Sequence, residues 1–301
     1  MVGVFRRSLS FPNKNPKRPS TAEPPISHHI RSISLPCRSH PLISQLKDGI
    51  SELQSWASNP DARTSAWLCD GLSRLKNVHD YLDDILQLPQ TQETLRQRCQ
   101  PLWVENLLED FLRFVDVYGI FQTLVLGWKD EQSAAQVAMR KRDEKRVVLY
   151  VKARKQMAKE MGKLVSAVRC VGVPGPEPIV PVGDAELVAV IGDAIEVTVL
   201  VSIELFNGIA ASFAPRKSSW MGLRLSKKAK KVKAEEGIQE FQQVGVESLW
   251  GLRKQADEEV RMGLKKMQDL EGCIGGIENG SERVFRSLIN ARVSLLNTLT
   301  L

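Results

Sequence analysis

Apolar residues recur along this chain at helical spacing. Leu42, Leu46, Ile50, Leu53 and Trp56 or Ala57 step by four, four, three and three, which places them on one face of a helix that Asn59-Pro60-Asp61 ends. A second stripe, Leu68, Leu72, Leu75, Val78, Leu82 and Ile85, stops at Leu88-Pro89. The third runs Val104, Leu107, Leu108, Phe111, Phe114, Tyr118, Phe121 and Val125, with Glu105, Glu109, Asp110, Arg113 and Asp116 on the other side. Each such helix has one apolar face and must bury it. A further helix is expected over about 130–170, with Val147, Val151, Met157, Met161, Leu164 and Val168 inward and its basic residues outward.

Gly172-Val173-Pro174-Gly175-Pro176-Glu177-Pro178 cannot continue a helix, because three prolines lack the backbone donor and fix φ. Beyond it, Asp184 is placed to cap a very apolar helix running to about Ala214. A Lys-rich connector follows, and then a helical region from about Ala234 to the end. Its stripe of Val260, Leu264, Met267, Leu270, Ile274, Ile277, Ser281, Val284, Leu288, Ala291 and Leu295 steps mostly by three and four, like a coiled coil. Gly272, Gly275, Gly276 and Gly280 weaken it, so either one helix or two separated near 275–280 is expected. With no β-type alternation of useful length, the expectation is all-α: an elongated helical bundle with long antiparallel helices. Its parts are a disordered N-terminal tail over 1–40, a first helical part over 41–171, a Pro/Gly linker over 172–182 and a second helical part over 183–301.

Charge changes this picture once it is located. The formal net charge is +7, but residues 1–40 hold seven Lys/Arg against Glu23 alone, so the other 261 residues are almost neutral. Within them, 41–136 carries eight basic and fourteen acidic residues, whereas 137–170 carries eleven and three. This is segregation rather than the global excess of a nucleic-acid binder, and no specific nucleic acid is expected as a partner. The basic face at 140–169 lacks interleaved aromatics; a solvated face, or pairing with the acidic 41–136 stretch, is the expectation. The five cysteines have no close spacing, which fits a reducing, cytoplasmic setting. The Ser/Arg-rich tail overlaps in composition with organellar transit peptides, but prolines at 12, 16, 19, 24, 25 and 36 oppose an amphipathic helix, and a retained tail is expected.

The most specific short signal lies in that tail. Arg7-Ser8-Leu9-Ser10-Phe11-Pro12 is echoed by Arg31-Ser32-Ile33-Ser34-Leu35-Pro36. An Arg three residues before Ser10 and Ser34 suits a basophilic kinase, and each phosphate adds about −1.5 to −2 charges. The phosphorylated pattern matches what 14-3-3 proteins grip through an Arg cluster. At about 3.3 Å per residue, copies 24 residues apart reach far enough for bivalent capture by a dimer. A second candidate is contact with a membrane: between Val197 and Ala214 the only charge is Glu204, and Lys227, Lys228, Lys230, Lys231 and Lys233 follow as a candidate anionic-surface contact. A buried helix is the expectation for 197–214, because Glu204 would sit near the bilayer centre.

Catalytic and metal-binding chemistry is poorly supplied. His28, His29 and His40 lie in the tail, and His79 is expected on a helix surface. Asp80, Asp83 and Asp84 form a helical row without the looping oxygens of a calcium site. No Gly-rich phosphate loop is present. No catalytic residue, cofactor, metal or small-molecule substrate is therefore expected.

Several segments are distinctive together: Phe5-Arg6-Arg7-Ser8-Leu9-Ser10-Phe11-Pro12, His29 to Pro41, Gly71-Leu72, Leu86-Gln87-Leu88-Pro89-Gln90-Thr91-Gln92, Trp103 to Glu109, and Arg292 to Asn297. In these segments the chain resembles the plant BYPASS-like family, a domain of unknown function, over nearly its whole length. The resemblance implies a plant protein linked to root and shoot development, and it carries over no catalytic residues. Members show a fuller Arg run near 140–146, which Asp143 and Glu144 interrupt here.

Overall fold

Proline opens three of the helices, at the position where its missing N–H would have had no acceptor: α1 (Pro41–Ser58), α3 (Pro89–Glu93) and α4 (Pro101–Arg140). Thr64 caps α2 (Ser65–Leu86) by accepting from the Trp67 amide, and Asp143 caps α5 (Glu144–Val168) by accepting from Lys145 and Arg146. Next come α6 (Ala185–Phe213), the short α7 (Gln239–Gln243) and α8 (Asp257–Thr300). This computed structural model describes residues 40–58, 63–172, 180–181, 184–213, 237–244 and 256–300, and among them there is no strand.

Side-chain contacts fix the helix directions. Gln132 and Gln136 of α4 meet Met267 and Glu271 of α8, while Lys129 meets Glu278 and Gly119 meets Phe285, so α4 and α8 are antiparallel. Cys69, Leu72 and Asp83 of α2 meet Gly276, Gly280 and Ser294, so α2 and α8 run parallel. Likewise, α6 is antiparallel to α2, through His79–Thr198 and Arg63–Glu204, and parallel to α4, through Tyr118–Ser202 and Trp128–Phe213. With α1 antiparallel to α2, through Gly49–Val78 and Trp56–Gly71, and α5 antiparallel to α4, through Tyr150–Gln132 and Arg113–Cys170, helices α2, α5 and α8 run one way and α1, α4 and α6 the other. Elements from both sides of 172–182 share one core, whose largest side chains include Phe111, Phe114, Tyr118, Phe121 and Phe206. Gly172, at φ 66°, closes the end of α5.

The apolar stripes are buried as the spacing predicts, but two boundaries differ. First, α4 continues past Val125 to Arg140, and the break falls at 141–143, where Arg142 adopts φ 53°. Its inward positions over 132–139 include Gln132, Ala135, Gln136 and Met139, so polar side chains interrupt the apolar stripe there. Second, the last helix does not begin near 234, and it does not divide at its glycines. Residues 237–244 form a separate piece, and α8 runs unbroken from Asp257. Gly276 and Gly280 face Cys69 and Leu72, where an added Cβ would lie 3.0 Å from their side-chain atoms, so these glycines let α2 and α8 approach closely. Gly272 and Gly275 meet nothing.

His79 is not on the surface. It is fully buried, edge-on to Phe111. The Thr198 hydroxyl gives its proton to the Ala194 carbonyl at 2.6 Å, so its 3.2 Å contact with His79 Nε2 must be Nε2–H donating to Thr198. That leaves Nδ1 unprotonated and without a donor. Desolvation holds the ring neutral, with its pKa pushed down to about 3.

Gly275→Ala should stabilise the fold by up to about 1 kcal/mol in urea denaturation, since it gains helix propensity and meets no neighbour. Gly71→Ala should instead cost about 1–3 kcal/mol, because its Cβ would overlap the Trp56 ring that stacks on Trp67; equal effects would contradict the packing described. For His79, the unfolded chain takes up a proton below the ordinary histidine pKa of 6.5 while the folded one does not until about 3, so stability is lost as pH falls through that window. Between pH 7 and 5 the chain should lose about 2 kcal/mol more than His79→Leu does; parallel losses would show that His79 does not titrate in this way.

Candidate functional site

The residues singled out in the tail, Arg7, Ser8, Ser10, Pro12, Arg31, Ser32, Ser34 and Pro36, lie outside the described residues, as do Lys227, Lys228, Lys230, Lys231 and Lys233. Among the described residues, polar and aromatic chemistry converges at a different place, where residues 237–244 lie across α2, α5 and α6.

Ile238, Phe241 and Val244 repeat at a step of three, and all are buried. Phe241 enters an aromatic cluster with Trp128 and Phe213 at centroid distances of 4.7 and 5.8 Å. Polar contacts fix the register. The Ile238 amide donates to Ser212 Oγ at 2.7 Å and the Gln239 amide to the Arg63 carbonyl at 2.9 Å. Glu240 accepts from the Ser65 amide at 2.9 Å and the Ser65 hydroxyl at 2.7 Å, so a carboxylate meets the positive end of α2. Gly237 is required here, since a Cβ would lie 2.6 Å from the Ser212 backbone.

The far end is held by Arg154 of α5, only 5% exposed. Its Nη2 donates to the Phe241 carbonyl at 2.7 Å and its Nη1 to the Val244 carbonyl. Its guanidinium lies over Phe213, 4.8 Å from the centroid, and 5.8 Å from that of Tyr150. Burial pulls its pKa below the ordinary arginine value, and among the described residues it has no carboxylate partner. Tyr150, whose phenol burial pushes up, donates to Gln132 Oε1 at 2.5 Å, and Gln132 Nε2 donates to the Met267 carbonyl at 2.9 Å. A polar path thus runs from 237–244 through α5 and α4 to α8.

Beside Arg154 a cleft of about 260 Å³ opens between α4 and α5. Leu124, Gly127, Trp128, Ala153 and Met157 give it apolar walls, with Glu131 and Glu160 also lining it. Sequence reading places Arg154 with the outward basic residues, and the charge of an arginine gives no sign that it is the inward one. Tyr150, four residues before it, is the only clue: together with Val147, Val151 and Met157 it marks the buried side of α5. The rest of the basic face is solvated, as Lys145, Arg146, Lys152, Lys155 and Lys159 are exposed.

Other sequence candidates fall elsewhere. Asp184 turns its carboxylate to Thr94 Oγ1 at 3.1 Å and Arg98 Nη1 at 2.9 Å, in the π-helical turn Thr94–Arg98 that follows α3. Asp83 accepts from Ser294 at 2.6 Å and Asp80 pairs with Lys76, so the acidic row is engaged in helix contacts. Cys69 and Cys273, remote in sequence, come to one patch of the α2–α8 interface, and burial, then Cys273 and Glu240, push the Cys69 thiol up. Burial and Asp184 push Cys99 up to about 11. Among the described residues no group of three or more His, Cys, Asp or Glu is placed to hold a metal ion.

The apolar segment that follows Glu196 is buried within the bundle: Val197, Val201, Leu205, Phe206 and Ile209 are each at most 1% exposed. Glu204 pairs with Arg63 at 2.5 Å. By length and composition α4 is apolar enough to span a bilayer, and its Phe111, Phe114, Tyr118 and Phe121 form the core instead.

Neither the curated proteins nor the solved structures contain a match to this chain. A family model does match it, the one described as Protein BPS1, over residues 71–298, which run from within α2 to the last turn of α8. That span holds the helical core, Arg154 and the cleft, and the chain belongs to the Protein BPS1 family.

Proposed function

We propose that this chain is a non-enzymatic interaction and regulatory protein of plant root and shoot development, whose basic tail docks a phosphoserine reader of the 14-3-3 kind. Membership of the Protein BPS1 family suggests a plant developmental regulator. The observation that carries the docking mode is the duplicated Arg-Ser-aliphatic-Ser-apolar-Pro motif, at Arg7–Pro12 and Arg31–Pro36. In each copy an Arg stands three residues before the central serine, and a phosphate there would present three acceptor oxygens to an Arg cluster. Two copies on one chain make the second capture intramolecular, worth about 10²–10⁴ in avidity. The setting is cytoplasmic, with the bundle as a scaffold and the tail as the switch.

A second reading is a peripheral membrane or trafficking adaptor. Most of the apolar surface of α6 is turned into the core, so such a contact would draw chiefly on Lys227, Lys228, Lys230, Lys231 and Lys233. Five lysines offer about 1 kcal/mol each at an anionic surface, and salt would screen them.

The decisive comparison is the full chain before and after phosphorylation by a basophilic kinase, titrated with a 14-3-3 dimer. Phosphorylation should tighten binding by at least about 100-fold, and Ser10→Ala combined with Ser34→Ala should remove the gain, with either single change removing only the avidity part. Equal affinity before and after would end the docking reading. Fractionation of plant tissue at low and high salt addresses the adaptor: full recovery in the soluble fraction at low salt would eliminate it.

A further inference from the structure

The α4–α5 cleft is unusual in pairing small residues with a buried charge. Gly127 of α4 and Ala153 of α5 both line it, where larger side chains would close the space. A Cβ at Gly127 would meet nothing within 4 Å, so no described atom demands a glycine there. A glycine in mid-helix costs about 1 kcal/mol relative to alanine. Here it leaves a notch bordered by Trp128, which is 4% exposed. The Trp128 indole N–H is buried and has no hydrogen-bond partner among the described residues.

Arg154 borders the same space. A guanidinium carries five N–H donors. Two go to the carbonyls of Phe241 and Val244, and the Tyr150 ring lies beside the guanidinium. The remaining donors have no partner among the described residues. Among the described residues this charge, 5% exposed, meets only neutral acceptors, and pairing with an anion is the usual way such a group is stabilised. Two parallel donors of a guanidinium match the two oxygens of a carboxylate.

We propose that the cleft between α4 and α5 is a binding site for a small aromatic or short-chain monocarboxylate, with its apolar body in the notch beside Gly127 and Ala153 and its carboxylate on Arg154. The volume, about 260 Å³, sits just below the roughly 300 Å³ at which sites for drug-sized ligands begin. It suits a fused ring or a short chain rather than a long acyl tail. The rim limits the charge. Glu160 is paired with Lys163 at 2.9 Å and accepts from Gln156, while Glu131 stands in solvent, so a second negative group reaching the rim would be repelled. Because Arg154 also holds the carbonyls at the end of 237–244, a bound carboxylate competes with that hold, and occupancy of the cleft is coupled to the seating of 237–244.

The test uses the full chain with 2-naphthoate as probe, and 2-naphthylmethanol as its neutral counterpart, in equilibrium dialysis. One saturable site for naphthoate is expected, with the alcohol at least tenfold weaker. Gly127→Leu fills the notch from a position where nothing stands in its way, so it should keep the fold by circular dichroism and urea denaturation while weakening naphthoate at least tenfold. Arg154→Met should weaken naphthoate tenfold and leave the alcohol unchanged; if that variant unfolds, the alcohol comparison and Gly127→Leu decide alone. No saturable binding, equal binding of acid and alcohol, or unchanged affinity in Gly127→Leu would each overturn the proposal.

Discussion

A single long helix, α8, serves two neighbours that run in opposite directions, and the arrangement of the bundle follows from how it does so. Its stripe from Val260 to Leu295 is nearly all buried, yet one stripe is too narrow to give each neighbour a full ridge of large side chains. Small residues solve this on the α2 side, where Gly276 and Gly280 admit Cys69 and Leu72 at close range. On the α4 side, larger and partly polar contacts hold the helices together: Gln132 and Gln136 reach the Met267 carbonyl, and Lys129 reaches Glu278. Two of the helix-weakening glycines are thus placed where close approach offsets what propensity loses. Gly272 and Gly275, which face nothing, lie beside them and have no such offset.

That polar side of α8 is continuous with the buried arginine. From the Met267 carbonyl the path goes through Gln132 to Tyr150, whose ring lies beside the Arg154 guanidinium, and Arg154 in turn holds the carbonyls of 237–244. Every step takes a polar group out of water, so every step needs a partner, and removing one member leaves the next unsatisfied. The arginine is the most demanding member, because among the described residues its charge meets only dipoles and ring faces. Carbonyl oxygens at the end of a short helix carry partial negative charge and suit this role. The same constraint explains why Gln132 interrupts the apolar stripe of α4 after Val125.

Positions that obey the helical step with apolar side chains, such as Leu68 to Ile85 or Val260 to Leu295, were legible in the sequence, because burial of hydrocarbon is what the step reports. Positions where a polar residue turns inward were not. Gln132 and Gln136 hid the continuation of α4, His79 read as a surface residue, and Arg154 read as one more member of a solvated basic face. Spacing reveals which side of a helix is buried only when most residues on that side are apolar. One further signal was present and misread: Asp143, which looks like an interruption of a basic run, is the cap that begins α5. The candidate site was the least legible part, since it depends on residues from α4, α5, α6 and 237–244 that only the fold brings together.

The two recognition chemistries proposed for this chain have different electrostatic designs, and the difference bears on how each would be regulated. The tail carries its net +6 over 1–40, in sequence expected to be exposed, where interactions beyond about 8–10 Å are screened at physiological salt, so only a charge change at the motif itself alters what is read. Two phosphates would remove about 3–4 of those charges, roughly half the total or a little more, and concentrate the change at the two serines. Arg154 sits at the opposite limit, out of water and next to ring faces, where screening is weak and one anion changes the local balance completely. On these two proposals a signal carried by phosphorylation would act at the tail and one carried by a small anion at the bundle, and neither would substitute for the other.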